Sequence, residues 1–128
     1  VVIWSKFIFL SAFAGITSTF RQPIGLILKN IEKRNLFQSA LEETYAIARA
    51  SGVSMSDDLV DKRMVFADGL PEEMYSSMYH DLNAGKRLEL PWLSGSVVDL
   101  GNKLGIDTPA HQFFVDELRA CVDGATAT

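Results

Sequence analysis

Ser76-Ser77-Met78-Tyr79-His80-Asp81-Leu82-Asn83-Ala84-Gly85-Lys86-Arg87-Leu88-Glu89-Leu90-Pro91-Trp92-Leu93-Ser94-Gly95 is the stretch whose reading decides the fold. Hydroxyls open a helical pattern over Ser76 to Asn83, Gly85 stops it, and Pro91 starts the next helix, which is expected to run through Lys103. That helix carries Leu93, Val97, Leu100 and Leu104 as its apolar stripe and ends at Gly105, with Gly95 and Gly101 allowing close packing. Turn and helix therefore alternate here with no run of period-two alternation.

The same pattern extends to both ends of the chain. Thr108-Pro109 is a start signal for a last helix with Ala110, Phe114, Leu118 and Cys121 on one face, and Asp123 to Thr128 is expected to fray. Upstream, Asp57 to Ala67 reads as a helix capped by Ser54 or Ser56, with Val60, Met64 and Ala67 inward. Pro71-Glu72-Glu73 reads as the first turn of a further element. Ile31 to Ala50 is a long helix with Phe37, Leu41, Tyr45 and Ala48 on one face, Glu32, Lys33, Glu42 and Glu43 elsewhere, and Gly52 as its left-handed stop. A short helix covers Ile24 to Lys29. The first helix runs from Val2 to Thr19 and ends ahead of Arg21-Gln22-Pro23, since the residue before a proline is pushed out of the α region. Seven short-to-medium helices make an all-α, compact multi-helix domain covering residues 1–128.

Composition narrows the class. The chain has 128 residues, enough for one core, and its 48% hydrophobic content is too high for disorder. A net charge of −4 argues against nucleic acid, because phosphate binding needs clustered Lys and Arg. Lys29, Lys33 and Arg34 form the densest basic group and read as a solvated helix face. The single Cys121 excludes an internal disulfide and a cysteine zinc cluster and points to the cytoplasm. The opening apolar run is broken by Lys6, leaving 14 residues before Arg21 where a span needs about 20, so no membrane crossing is expected. No basic region precedes the apolar run as a signal peptide requires. A chain that begins inside an apolar pattern without Met is expected to be a piece of a longer protein.

Several residues are candidates for chemistry. Lys6 sits among Trp4, Phe7, Ile8, Phe9 and Leu10, where an ammonium either snorkels to water, finds a carboxylate or serves a site. Glu89 lies between two leucines and is either a solvent-facing loop residue or a buried partner. Ser76 and Ser77 are either a helix cap or ligands for a carboxylate. His80 and His111 lack metal-ligand spacing, no metal is expected, and both read as partly exposed helical residues. There is no G-x-G-x-x-G, P-loop or G-x-S-x-G, so neither dinucleotide binding by this chain alone nor serine hydrolysis has support.

The S-S-M-x-x-D run of Ser76 to Asp81, with Glu89 eight residues after Asp81, resembles the signature of the ketopantoate reductase (2-dehydropantoate 2-reductase) family. Trp4-Ser5-Lys6 is similar to that family's W-x-K element, and Gly105-Ile106-Asp107-Thr108-Pro109 to the start of its final helix. The resemblance covers nearly the whole chain. It implies an all-α domain like the C-terminal domain of 6-phosphogluconate dehydrogenase-like reductases. It also implies a separate N-terminal Rossmann domain, absent from this chain, that binds most of an NADPH. By the same resemblance the protein reduces the 2-oxo group of ketopantoate or a related 2-oxo acid, in pantothenate biosynthesis. Lys6 is then the general acid, Glu89 its orienting partner or that of a substrate hydroxyl, and Ser77 the substrate-contacting hydroxyl. Asp81 is structural.

The chain departs from the family where asparagines are usual four and eight residues after the lysine. Leu10 and Ala14 stand at those substrate-binding positions. Ser94-Gly95 likewise replaces an Asn-Gly pair. A more apolar or differently shaped pocket follows from these changes. They also leave open a divergent, non-catalytic helical module for ligand binding or dimerisation. Apolar surface left where a cofactor domain packs makes a homodimer possible.

Overall fold

The computed structural model describes residues 2–124, and these form seven α-helices, α1 (Val2–Phe20), α2 (Ile24–Lys29), α3 (Ile31–Ala50), α4 (Leu59–Asp68), α5 (Ser77–Asn83), α6 (Ser94–Leu104) and α7 (Pro109–Leu118). Two 3₁₀ turns, Leu90–Trp92 and Arg119–Cys121, precede α6 and follow α7. The all-α expectation holds, with no strand among the described residues. Asp123 and Gly124 lie in a turn; the remainder of the tail expected to fray, residues 125–128, lies outside the described residues.

α1 is the axis of the domain and packs against α3, α5 and α7. Every position from Ser11 to Ser18 is buried, which explains why its sequence is apolar on all sides. The hydroxyl of Ser11 donates to the Ile8 carbonyl at 3.4 Å and so satisfies its own turn. Gly15 lets α7 approach: a Cβ there would fall well inside van der Waals contact of the Phe114 ring. Measured as a helix, α1 is long and apolar enough to cross a membrane over Ile3–Phe20, because helical length counts through Lys6. Burial of 56% of that window inside the domain is what a core helix requires. It ends with Arg21 in the left-handed region at φ 51°, two residues before Pro23.

The main core joins Ile8, Phe9, Phe13 and Ile16 of α1 to Ile24 and Ile27 of α2, Phe37 and Leu41 of α3, Met64 of α4 and Phe114 of α7. A smaller one joins Ala14 to Met78, Leu88, Leu90 and Leu118. The expected stops at Gly52, Gly85 and Gly105 all fall at positive φ, 88°, 72° and 72°. The basic group is solvated in part, with Lys29 paired to Glu72 at 2.8 Å and Arg34 to Asp68 at 2.7 Å.

Four local expectations are corrected. α4 begins at Leu59 with Asp58 as its N-cap, because Ser56 spends its hydroxyl proton on Asp58 Oδ1 at 2.7 Å instead of capping the helix. Pro71-Glu72-Glu73 forms only a turn, in which the Pro71 and Glu72 carbonyls accept from Met74 and Gly25. The helix expected from Pro91 is broken: the 3₁₀ turn ends at Leu93, whose ψ of −100° is not helical, and the chain restarts with Ser94 delivered into the core. Glu43 and His111, expected on outer faces, are buried against each other's helices.

Candidate functional site

Lys6, Leu10 and Ala14 occupy successive turns of one face of α1, about 6 Å apart along the axis. Their surroundings change along that face. Ala14 is only 5% exposed and shares a packed cluster with Met78, Leu88 and Leu90. Met78 is the neighbour of Ser77, and Leu88 and Leu90 flank Glu89. Burying these three apolar side chains against Ala14 therefore anchors both segments on α1 and turns Ser77 and Glu89 outward, where both are exposed. The alternation of buried Leu88, exposed Glu89 and buried Leu90 is a short extended segment read at period two. Leu10 is 44% exposed and Lys6 is exposed, so the face opens toward the start of the helix.

The paired serines divide two jobs that the sequence left open between them. Ser76 is the N-cap of α5, its Oγ accepting the Tyr79 N–H at 3.1 Å, and it is buried. Ser77 keeps its hydroxyl on the surface. Among the described residues neither Lys6 nor Glu89 is in an ion pair, and no hydrogen bond joins them. Leu10 offers no hydrogen bond to a ligand, and buried Ala14 offers little surface.

A second side of Lys6 was not legible in the sequence. The ammonium also lines a depression of about 760 Å³ with Ser5, Ser54, Met55, Ser56, Leu59 and Arg63. Arg63 lies beside Lys62 on α4 and looks like any surface charge until the packing of Phe66 on Phe9, ring centres 5.2 Å apart, brings α4 against α1.

Behind the site, buried polar groups lock three helices. The Glu43 carboxylate of α3 accepts the Ala110 and His111 N–H groups at 2.7 and 3.1 Å, capping the start of α7 from a distant helix. Burial pushes its pKa up, opposed by those two hydrogen bonds. His111, expected to be partly exposed, is fully buried, with Nδ1 3.0 Å from Ser94 Oγ and Nε2 2.9 Å from the Ala40 carbonyl. A carbonyl only accepts, so Nε2 carries the proton and Nδ1 accepts from Ser94. Burial lowers the imidazole pKa to about 4, which keeps it neutral. A Ser–His pair without solvent access serves the fold and not catalysis.

The fold and these residues can be set beside known proteins. The family described as Ketopantoate reductase PanE/ApbA C terminal matches residues 1–122. The chain belongs to that family. The uncharacterized oxidoreductase YkpB of Bacillus subtilis is 30% identical over 107 residues, covering 84% of this chain and 35% of the relative. The 2-dehydropantoate 2-reductase of Caulobacter vibrioides is 29% identical over 117 residues, covering 91% and 40%. The solved structure of a dimeric ketopantoate reductase from Staphylococcus aureus superposes with a TM-score of 0.87 at 30% identity, over 94% of this chain and 42% of that one. The chain thus spans well under half the length of these relatives.

Proposed function

We propose that this chain is the substrate-side domain of an NADPH-dependent 2-oxo acid reductase, completed by an N-terminal Rossmann domain. The observation that carries the reading is the α1 face itself: Lys6 stands exposed two turns from Ala14, whose packing anchors the segments that present Ser77 and Glu89. Family membership supports the oxidoreductase class.

The nicotinamide cofactor, when bound, supplies hydride to the carbonyl carbon. This chain has no glycine-rich phosphate loop, so it fits the substrate side of such a cofactor and not its main binding site. Hydride addition places negative charge on the carbonyl oxygen. Lys6, an ammonium not held by any carboxylate among the described residues, stabilises that charge and gives the proton that completes the alcohol. Glu89 orients Lys6 or a substrate hydroxyl, and the Ser77 hydroxyl donates to the substrate carboxylate. Leu10 replaces a hydrogen-bonding side chain by an apolar one, so the favoured substrate carries an apolar group where ketopantoate carries a hydroxyl. A polar group left unpaired against Leu10 costs about 1–3 kcal/mol. The enzyme belongs in the cytoplasm in this reading, and it pairs as a homodimer, as the S. aureus relative does.

The test is NADPH oxidation by the full-length parent protein with ketopantoate and with apolar 2-oxo acids, native against Lys6→Ala. Turnover that is largest with an apolar 2-oxo acid and is lost with Lys6 supports the reading. Equal turnover in Lys6→Ala would sink the acid role. The second reading, a non-catalytic helical module, rests on the loss of both polar positions at Leu10 and Ala14. It predicts that NADPH binds the parent protein while no 2-oxo acid is reduced.

A further inference from the structure

The depression beside Lys6 carries an inference separate from the reductase reading, since most of its lining comes from the loop between α3 and α4 and from α4 itself. Its lining has two cations, Lys6 and Arg63, three hydroxyls, Ser5, Ser54 and Ser56, an apolar part from Met55 and Leu59, and no carboxylate. Three acidic residues are near in sequence: Asp61 is exposed and outside the lining, Asp57 turns to Arg49, and Asp58 meets the lining only through Ser56. Asp57 accepts from Arg49 at 3.2 Å, and Asp58 accepts from Ser56 Oγ at 2.7 Å and pairs with Lys62 at 3.5 Å. Lys6 and Arg63 have no carboxylate partner among the described residues, and they share one depression.

Arg63 also carries an unsatisfied donor. Its Nε is buried without a hydrogen-bond partner. The guanidinium carbon stands 5.0 Å over the Phe66 ring, and Phe66 is itself fixed edge-on against Phe9. A stacked guanidinium loses little freedom when it binds, and its planar fork suits an oxyanion. The Lys6 ammonium and the hydroxyls of Ser5 and Ser54 add donors to the same lining. Two cations with the Ser5 and Ser54 hydroxyls suit the greater charge and the several oxygens of a phosphate better than the single charge of a carboxylate.

We propose that the depression between α1 and α4 is a phosphate-binding site, with Arg63 as its principal ligand and Lys6 shared between it and the α1 face. The phosphate belongs either to a dinucleotide reaching across from a neighbouring domain or to a small free phosphate compound. Bound there, it contacts Lys6 and so couples occupancy of the depression to the α1 face.

The experiment is a titration of the ¹⁵N-labelled full chain with inorganic phosphate at constant ionic strength set by chloride, followed by NMR. Saturable shifts of the Arg63 Nε–H and of the Ser5 and Ser54 amides are expected, weakened about tenfold or more in Arg63→Ala and less in Arg63→Lys. Ser54→Ala, at an exposed position, is the second variant should Arg63→Ala disturb α4, and it weakens binding by a smaller factor. Tighter binding of NADP⁺ than of phosphate supports the dinucleotide source, and equal or weaker binding supports the free compound. Shifts that never saturate, or that persist unchanged in both alanine variants, overturn the proposal. So does pyruvate acting on the same resonances as strongly as phosphate, which would make the site one for carboxylates. No turnover is read, so failure here leaves the reductase reading standing, and loss of the reductase reading leaves this one standing.

Discussion

Thr17 Oγ1 and Ser76 Oγ are hydrogen-bonded at 2.7 Å across the contact between α1 and α5. Thr17 also lies 2.7 Å from the Phe13 carbonyl, which can only accept, so the threonine proton goes there and Ser76 donates to Thr17. Ser76 Oγ in turn accepts from the Tyr79 N–H. A single chain of hydrogen bonds therefore runs from the middle of α1 into the first turn of α5 and sets where Ser77 begins. Thr17→Val keeps the shape and removes the acceptor, leaving a buried Ser76 hydroxyl with one partner fewer. The expected loss is about 1–2 kcal/mol in urea denaturation. Under the proposed reductase function, KM of the full-length parent protein for the 2-oxo acid should rise more than kcat falls, because Ser77 is displaced and Lys6 is not.

Leu10 and Ala14 are expected to respond differently to restoration of asparagine. Leu10 is 44% exposed, so Leu10→Asn leaves stability within about 0.5 kcal/mol and, under the proposed function, should improve the KM of the parent protein for a hydroxylated 2-oxo acid relative to an apolar one. Ala14 is buried with Met78, Leu88, Leu90 and Leu118, and the larger amide must displace them. Ala14→Asn is expected to cost about 1–3 kcal/mol in denaturant unfolding. Equal tolerance at both positions would show that the face is open along its whole length.

Helix order and most helix ends were legible because they depend on local chemistry. Three glycines at positive φ stop α3, α5 and α6 where the sequence places the stops. Lys6, Leu10 and Ala14 could be put on one face from their spacing alone. The late start of α4 is a local miss, set by Ser56 donating to Asp58, but the misses around the site are long-range. Glu43 and His111 are buried because each completes the other's helix across 68 positions, and nothing in either neighbourhood signals that. The break at Leu93 follows from Ser94 being drawn to His111, a tertiary contact. Arg63 becomes interesting only once Phe66 seats α4 on α1.

Glu43 replaces the side-chain cap that α7 lacks, Thr108 making no capping hydrogen bond. Glu43→Ala leaves two buried N–H donors at the start of that helix unpaired, at about 1–3 kcal/mol each before relaxation. A total loss of about 2–4 kcal/mol is expected. Glu43→Gln keeps an acceptor oxygen and should recover part of it. Urea denaturation of both variants checks the order.

At the α1–α7 crossing, Gly15→Ala drives a methyl into the fully buried Phe114 ring. Overpacking of this kind costs about 1–3 kcal/mol, and the thermal midpoint should fall accordingly. Phe114→Leu in the same chain makes room and should restore part of the loss, which separates a steric cause from a change in helix propensity.

His111 makes the fold acid-sensitive within a defined window. Its folded pKa is lowered to about 4 by burial, against about 6.5 in the unfolded chain. Between those values the unfolded state binds a proton that the folded state refuses, so stability falls as pH drops from about 6.5 and its contribution levels off below about 4. The full effect is about 3 kcal/mol. Glu43 acts in the same region with the opposite sign: its raised pKa makes protonation on acidification favourable to the folded state and offsets part of the loss. His111→Gln can still donate to the Ala40 carbonyl and accept from Ser94, yet it does not titrate. The acid limb of a stability-against-pH curve should flatten in that variant between about pH 6.5 and 4. A limb unchanged by His111→Gln would assign acid sensitivity to the carboxylates instead.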